Sequence, residues 1–192
     1  PVAIGITAGA REYLAADICL KYMKEAVSEP CKEEQLEAAE KTLRAKLNSL
    51  SLVQPEGTFR TARKEAAKLF DRKILFTENP RKIESAVFTK DGHRVKIEAV
   101  INGEQKTFYA GYKVWKRNDL YPDDHTKRYQ NVAYAMDAEA LYLSVGLINT
   151  SYKEEYCLWV NSQDKVIATW HPNVTYLPEE PDMIWKFTGT FE

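Results

Sequence analysis

The densest group of chemistry-bearing residues is Asp119-Leu120-Tyr121-Pro122-Asp123-Asp124-His125, where three carboxylates and an imidazole fall within seven positions. Such donors could hold a divalent cation. The spacing is neither that of a calcium loop nor that of a His-x-x-x-His pair, so the run reads as a solvated loop broken by proline. Glu179, Glu180 and Asp182, set around Pro178 and Pro181, read the same way. His93, His125 and His171 are far apart along the chain. No Gly-x-Ser-x-Gly elbow, phosphate-binding glycine loop or His-Glu-x-x-His helix accompanies them. On these grounds no catalytic residue, metal ligand or cofactor is assigned, and the reading leans away from an enzyme.

Cys19, Cys31 and Cys157 make an odd set without C-x-x-C spacing, which argues against a disulfide framework and against a zinc ribbon. Cys19 and Cys157 sit among apolar residues and read as small core side chains. Cys31 falls near a helix start, where a thiol ionises more readily, but no histidine lies close to it in sequence. Three free thiols are expected. The sequons at Asn149 and Asn173 are no more than chance supplies, and the compartment leans cytoplasmic. Pro1 offers a secondary amine that could act as a base, although helices followed by strands are not the βαβ units on which tautomerases place such a proline.

Charge is divided. The chain carries 27 Lys+Arg and 28 Asp+Glu for a net −1, yet residues 60–117 hold +8 and residues 118–192 hold −7. Within residues 60–73 six positive charges face two negative ones. Arg60, Arg63, Lys64 and Lys68 would project together from a helix over this stretch, a surface suited to an acidic partner or to phosphate. Aromatic residues are skewed the other way, sixteen of the 22 lying in residues 108–191. Tyr109 and Trp115 fall on the face opposite Phe108, Tyr112 and Val114, so one strand carries rings on both faces. Arg60, Arg63, Lys64, Lys68, Tyr109 and Trp115 are therefore the candidate partner-binding residues.

The elements that must position these residues come in two groups. Apolar spacings of three and four predict helices over residues 10–27, 32–49 and 58–70. From Lys73 the period becomes two. Asp91-Gly92 and Asn102-Gly103 predict tight hairpins joining residues 82–89, 93–101 and 105–115, and further strands are expected over 130–136, 140–148, 154–160, 165–170 and 183–188. Helices first and strands after argue for an α+β fold. About three N-terminal helices are expected to pack on a strongly curved, mainly antiparallel sheet of about seven strands. The chain reads as a single domain, 1–192, with a helical section at 1–72 and a sheet section at 73–192. No apolar run is long enough to span a membrane.

The reading these features carry furthest is a non-enzymatic binding or assembly domain, an accessory subunit acting through a protein-protein surface. Two alternatives stay open. One is a small-molecule-binding or enzymatic pocket inside the curved sheet. The other is a phosphate or nucleic-acid binder using the basic helix 60–73, for which no nucleic-acid motif is present.

Overall fold

The computed structural model describes residues 12–28, 33–51, 53–119, 129–148, 150, 152–173 and 183–192. The chain falls into two compact units, residues 1–53 and residues 54–192. In the first, helix α1 spans Glu12–Ser28 and helix α2 spans Glu33–Asn48, close to the bounds that apolar spacing predicts. Arg44 Nη2 meets Glu40 Oε1 at 2.7 Å across one turn of α2, an i,i+4 pair of the stabilising orientation. Ile18, Leu20 and Tyr22 on α1 and Leu36, Leu43 and Leu47 on α2 are exposed, so neither helix buries them against the other. No helix among the described residues is long and apolar enough to cross a membrane.

The second unit is built of strands β1 (Lys73–Phe76), β2 (Ile83–Asp91), β3 (Arg94–Ile101), β4 (Glu104–Tyr112), β5 (Lys116–Asp119), β6 (Tyr129–Met136), β7 (Ala140–Leu147), β8 (Lys153–Val160), β9 (Val166–Pro172) and β10 (Trp185–Phe191). Their order in the sheet is β4-β3-β2-β1-β10-β9-β8-β7-β6-β5, and β4 also pairs with β6. That last pairing corrects the expected fold. The sheet is not an open one of about seven strands: nine strands form a closed β-barrel, and β5 lies against the first half of β6. Closure is parallel and short, Gly111 opposite Ala133 and Tyr112 opposite Tyr134, while the other strand pairs are antiparallel. Closure removes the exposed edges that an open sheet would present to other chains.

Alternation along the strands sets what is inside. On β3, Val95, Ile97 and Ala99 are buried while Arg94, Lys96 and Glu98 lie outward, as period-two patterning predicts. Both hairpins form. Asn102 and Gly103 have φ of 52° and 79° between Ile101 and Glu104, the two positive values of a type I′ turn. The β2–β3 turn lies one residue later than expected. Asp91 pairs with Arg94, and Gly92 and His93 are the central residues. Positive φ at Gly92 (61°) and not at His93 is the type II′ pattern.

The expected third helix over 58–70 is also corrected. Only Lys64–Leu69 is helical, as a 3-10 turn. Arg63 before it and Phe70 after it are extended, and Lys64 takes a φ of 48°. The reason lies in where the backbone hydrogen bonds go. Phe59 N–H donates to Met136 O at 2.9 Å and Asp71 N–H to Phe88 O at 2.9 Å, so both ends of the segment are drawn onto the barrel. Ala66 and Leu69 are fully buried beneath the 3-10 turn. Leu69 belongs to one core with Met136, Leu141, Val160 and Val166, and this end of the barrel is plugged. The basic residues of 60–73 therefore do not share a helix face.

Candidate functional site

Away from the plug the interior is not filled. A cavity runs along the barrel between Phe76, Phe88, Phe108 and Phe187 on one side and Leu143, Val145 and Leu158 on the other. Its volume is about 80 Å³, and it opens to solvent at its mouth. Three inward alanines, Ala86, Ala99 and Ala168, make the room. Each occupies an inward strand position where a larger side chain would occupy it. Phe76 and Phe187 brace the wall edge to face, with ring centroids 5.5 Å apart.

The unplugged end carries polar groups. Glu154 and Tyr156 are inward positions of β8, Gln130 begins the inward row of β6, and Arg81 enters from the β1–β2 connection. Arg81 Nη2 lies 3.2 Å from Glu154 Oε1, and the Glu154 side chain is 5% exposed. Tyr156 O–H donates to Glu154 Oε2 at 2.6 Å. Burial works against the Arg81 charge, but the Glu154 carboxylate beside it holds its pKa above the usual value. Burial first, and then Glu154, pushes the Tyr156 phenol well above its ordinary range, so it keeps its proton. Arg81 Nε and Trp170 Nε1 are buried without a hydrogen-bond partner among the described residues.

The fold of this barrel is found elsewhere. The chain resembles apo lipid binding protein 8 (LBP-8) of Caenorhabditis elegans. The crystal structure of that protein matches 67% of this chain and 99% of its own, with a TM-score of 0.50 and 8% sequence identity. At that identity the likeness is one of fold. No protein-family model and no curated protein sequence matches the chain.

The residues singled out from sequence lie elsewhere, on the outside. Arg60, Arg63, Lys64 and Lys68 are exposed. The Arg63 guanidinium sits 4.3 Å from the Phe59 ring centroid, and Lys68 Nζ pairs with Glu65 at 2.5 Å and Asp164 at 3.7 Å. Arg72 also reaches Asp164, at 3.8 Å, and lies 3.5 Å from the Phe191 ring centroid. Part of the basic set is thus engaged within the fold. Tyr109 is half-buried with the Arg94 guanidinium 4.0 Å from its ring centroid. Trp115 lies past the end of β4, its ring over Gly146 of β7. The structure does not bring these six residues into one site.

Of the acidic run 119–125 only Asp119 is among the described residues, and Pro1, Cys31, His125 and the 179–182 carboxylates lie outside them. Among the described residues no cluster of His, Cys, Asp and Glu could hold a metal ion. Cys19 and Cys157 are free thiols. Burial, with a contribution from Asp137, pushes the Cys157 thiol up to about 11, which makes it a poor nucleophile near neutral pH.

Sequence reasoning counted Arg81 with the basic middle and Tyr156 and Trp170 with the aromatic set, made none of them a site residue, and gave Gln130 and Glu154 no role beyond opening strands. One signal for Glu154 was present. It shares its period-two row with Tyr156, Leu158 and Val160, so an inward β8 face places a carboxylate inside. Arg81, in a connection after Pro80, carries no comparable pattern.

Proposed function

We propose that the protein binds a small, largely apolar ligand inside the barrel, its polar end toward Arg81, Glu154 and Tyr156. The observation that carries this reading is the alanine-lined cavity, walled by phenylalanines and ending at one polar cluster. Sites for small molecules are concave, mostly apolar, and hold a few placed polar groups, in volumes of roughly 300–1,000 Å³. The cavity's volume of about 80 Å³ is below that range, so a chain-like ligand enters by displacing side chains. The likeness in fold to a protein named for lipid binding supports the same reading. The small-molecule alternative is thus better supported than an assembly surface, for which no structural observation speaks.

The test is fluorescence of N-phenyl-1-naphthylamine, a neutral apolar probe, with the full chain. Saturable enhancement is expected from the wild type. Ala99→Phe, which puts a ring into the cavity from an inward position of β3, should abolish it while circular dichroism still reports a folded sheet. Overpacking of this kind costs about 1–3 kcal/mol. Equal enhancement from the two folded proteins would place the probe outside the barrel and end the proposal.

A further inference from the structure

The ion pair at the cavity's polar end selects the chemistry of the ligand's end group, an inference that rests on the ligand-binding reading above. A lone guanidinium at the end of an apolar cavity would favour a carboxylate, which it can hold with two charge-assisted hydrogen bonds. Arg81 is not alone. Its Nη2 faces Glu154 Oε1 at 3.2 Å, and the other oxygen of Glu154 accepts the Tyr156 hydroxyl at 2.6 Å. Together the three groups carry no net charge. A ligand carboxylate would set two negative charges against one guanidinium in a place partly closed to water, where desolvating a further anion is not offset by attraction.

What the cluster still offers is neutral hydrogen bonding. Arg81 Nε is a buried donor without a partner among the described residues, as is Trp170 Nε1 on a neighbouring side chain that does not line the cavity. The Arg81 guanidinium lies 6.0 Å from the Trp170 ring centroid, and Trp170 is the strand partner of Tyr156. Buried donors are costly until they meet an acceptor. The Tyr156 hydroxyl is engaged on both sides, donating to Glu154 and accepting from the Arg81 guanidinium, so the cluster offers a ligand a donor rather than an acceptor. We infer that the cavity takes an apolar molecule with an uncharged, oxygen-bearing end, such as an ester or an alcohol, and discriminates against a free carboxylate.

Displacement of N-phenyl-1-naphthylamine by methyl laurate, 1-dodecanol and laurate at neutral pH compares three end groups on one chain length. The ester and the alcohol should displace the probe from the wild type at concentrations at least roughly tenfold below laurate. Glu154→Gln keeps the shape of the side chain and frees the Arg81 charge, so laurate should gain at least roughly tenfold relative to the ester. A wild type that binds laurate as tightly as the ester overturns the inference, as does an unchanged ratio in Glu154→Gln. Should that variant fail to fold, Arg81→Gln decides. Weaker binding of the ester with laurate still poor supports the inference, and a loss confined to laurate overturns it. If the wild type binds neither the probe nor any of the three, the ligand-binding reading itself has failed, an outcome distinct from a reversed preference.

Discussion

The Asn118 side chain bonds to the Tyr109 backbone as a neighbouring strand would. Its Oδ1 accepts the Tyr109 N–H at 2.8 Å, and its Nδ2 donates to the Tyr109 carbonyl at 2.9 Å and to Lys116 O at 2.9 Å. β4 and β6 pair over only two positions near the plugged end, and further along β5 comes between them. There one amide supplies both the donor and the acceptor that the Tyr109 peptide would otherwise lack.

Asn118→Ala removes all three hydrogen bonds and leaves the half-buried Tyr109 peptide unsatisfied. The expected loss is about 2–3 kcal/mol in urea unfolding, with faster hydrogen exchange at the Tyr109 amide. Asn118→Asp keeps only the acceptor and should lose nearly as much. A change below about 0.5 kcal/mol in both would mean that water takes over the role of the amide.

Lys90 points inward near the plug. Its Nζ donates to Arg60 O at 2.8 Å and lies 4.8 Å and 5.1 Å from the ring centroids of Phe70 and Tyr134. Burial, and then the Arg60 charge, lowers its pKa from 10.5 to about 8. Between those values the folded protein has released a proton that the unfolded chain still holds, so stability rises with pH across that window. Stability of the wild type relative to Lys90→Met should therefore climb from about pH 8 to about pH 10.5 and be flat below. A flat difference throughout would show that Lys90 titrates as an ordinary lysine.

Asp137 organises the β6–β7 turn. Oδ1 accepts the N–H groups of Glu139 and Ala140 at 2.8 and 2.7 Å, and Oδ2 accepts the Tyr142 hydroxyl at 2.6 Å. Burial would raise its pKa, but these hydrogen bonds outweigh burial and hold the carboxyl below its usual value. A depressed carboxylate stabilises the fold above its unfolded pKa, and the benefit fades as pH falls through the folded value. Tyr142→Phe should cost about 1–2 kcal/mol at neutral pH, with the difference from wild type shrinking below about pH 4. A cost that persists unchanged into acid would assign the role of Tyr142 to packing alone.

Gly57 passes flush against β6. A Cβ built there would come within 2.5 Å of Met136 O and 2.7 Å of Met136 N, both of them backbone atoms. Gly57→Ala should therefore lift this segment, lengthen the Phe59–Met136 hydrogen bond and cost about 1–3 kcal/mol. An unchanged melting temperature would show that the segment shifts freely.

Local patterning made much of this molecule legible. Val95, Ile97 and Ala99 alternate with charges and read as a strand with one buried face, and Asn102-Gly103 names its turn because both residues must take positive φ. Closure was not legible. The pairing of β4 with β6 rests on two positions that have no local mark, and β1 is four residues long. Ala66 and Leu69 gave the 58–70 stretch a helical spacing, but its hydrogen bonds to Met136 and Phe88 come from partners far off in sequence. The polar end of the cavity was missed for the same reason. Arg81 and Glu154 are an ion pair only because the barrel brings them together.

The joining of β1 to β10 sets a timetable for the chain. Thr77 and Thr188 exchange hydrogen bonds across 111 positions of sequence, and Ile74 lies opposite Phe191. During synthesis the hairpins of β2 to β4 and of β6 to β9 can form as they emerge, but β1 has no partner on its second side until β10 has been made. Contacts so distant in sequence slow folding. A nascent chain halted before Trp185 would therefore carry a barrel open along one line, its phenylalanine-walled interior exposed to chaperones, and protease resistance should appear only after the last strand clears the ribosome.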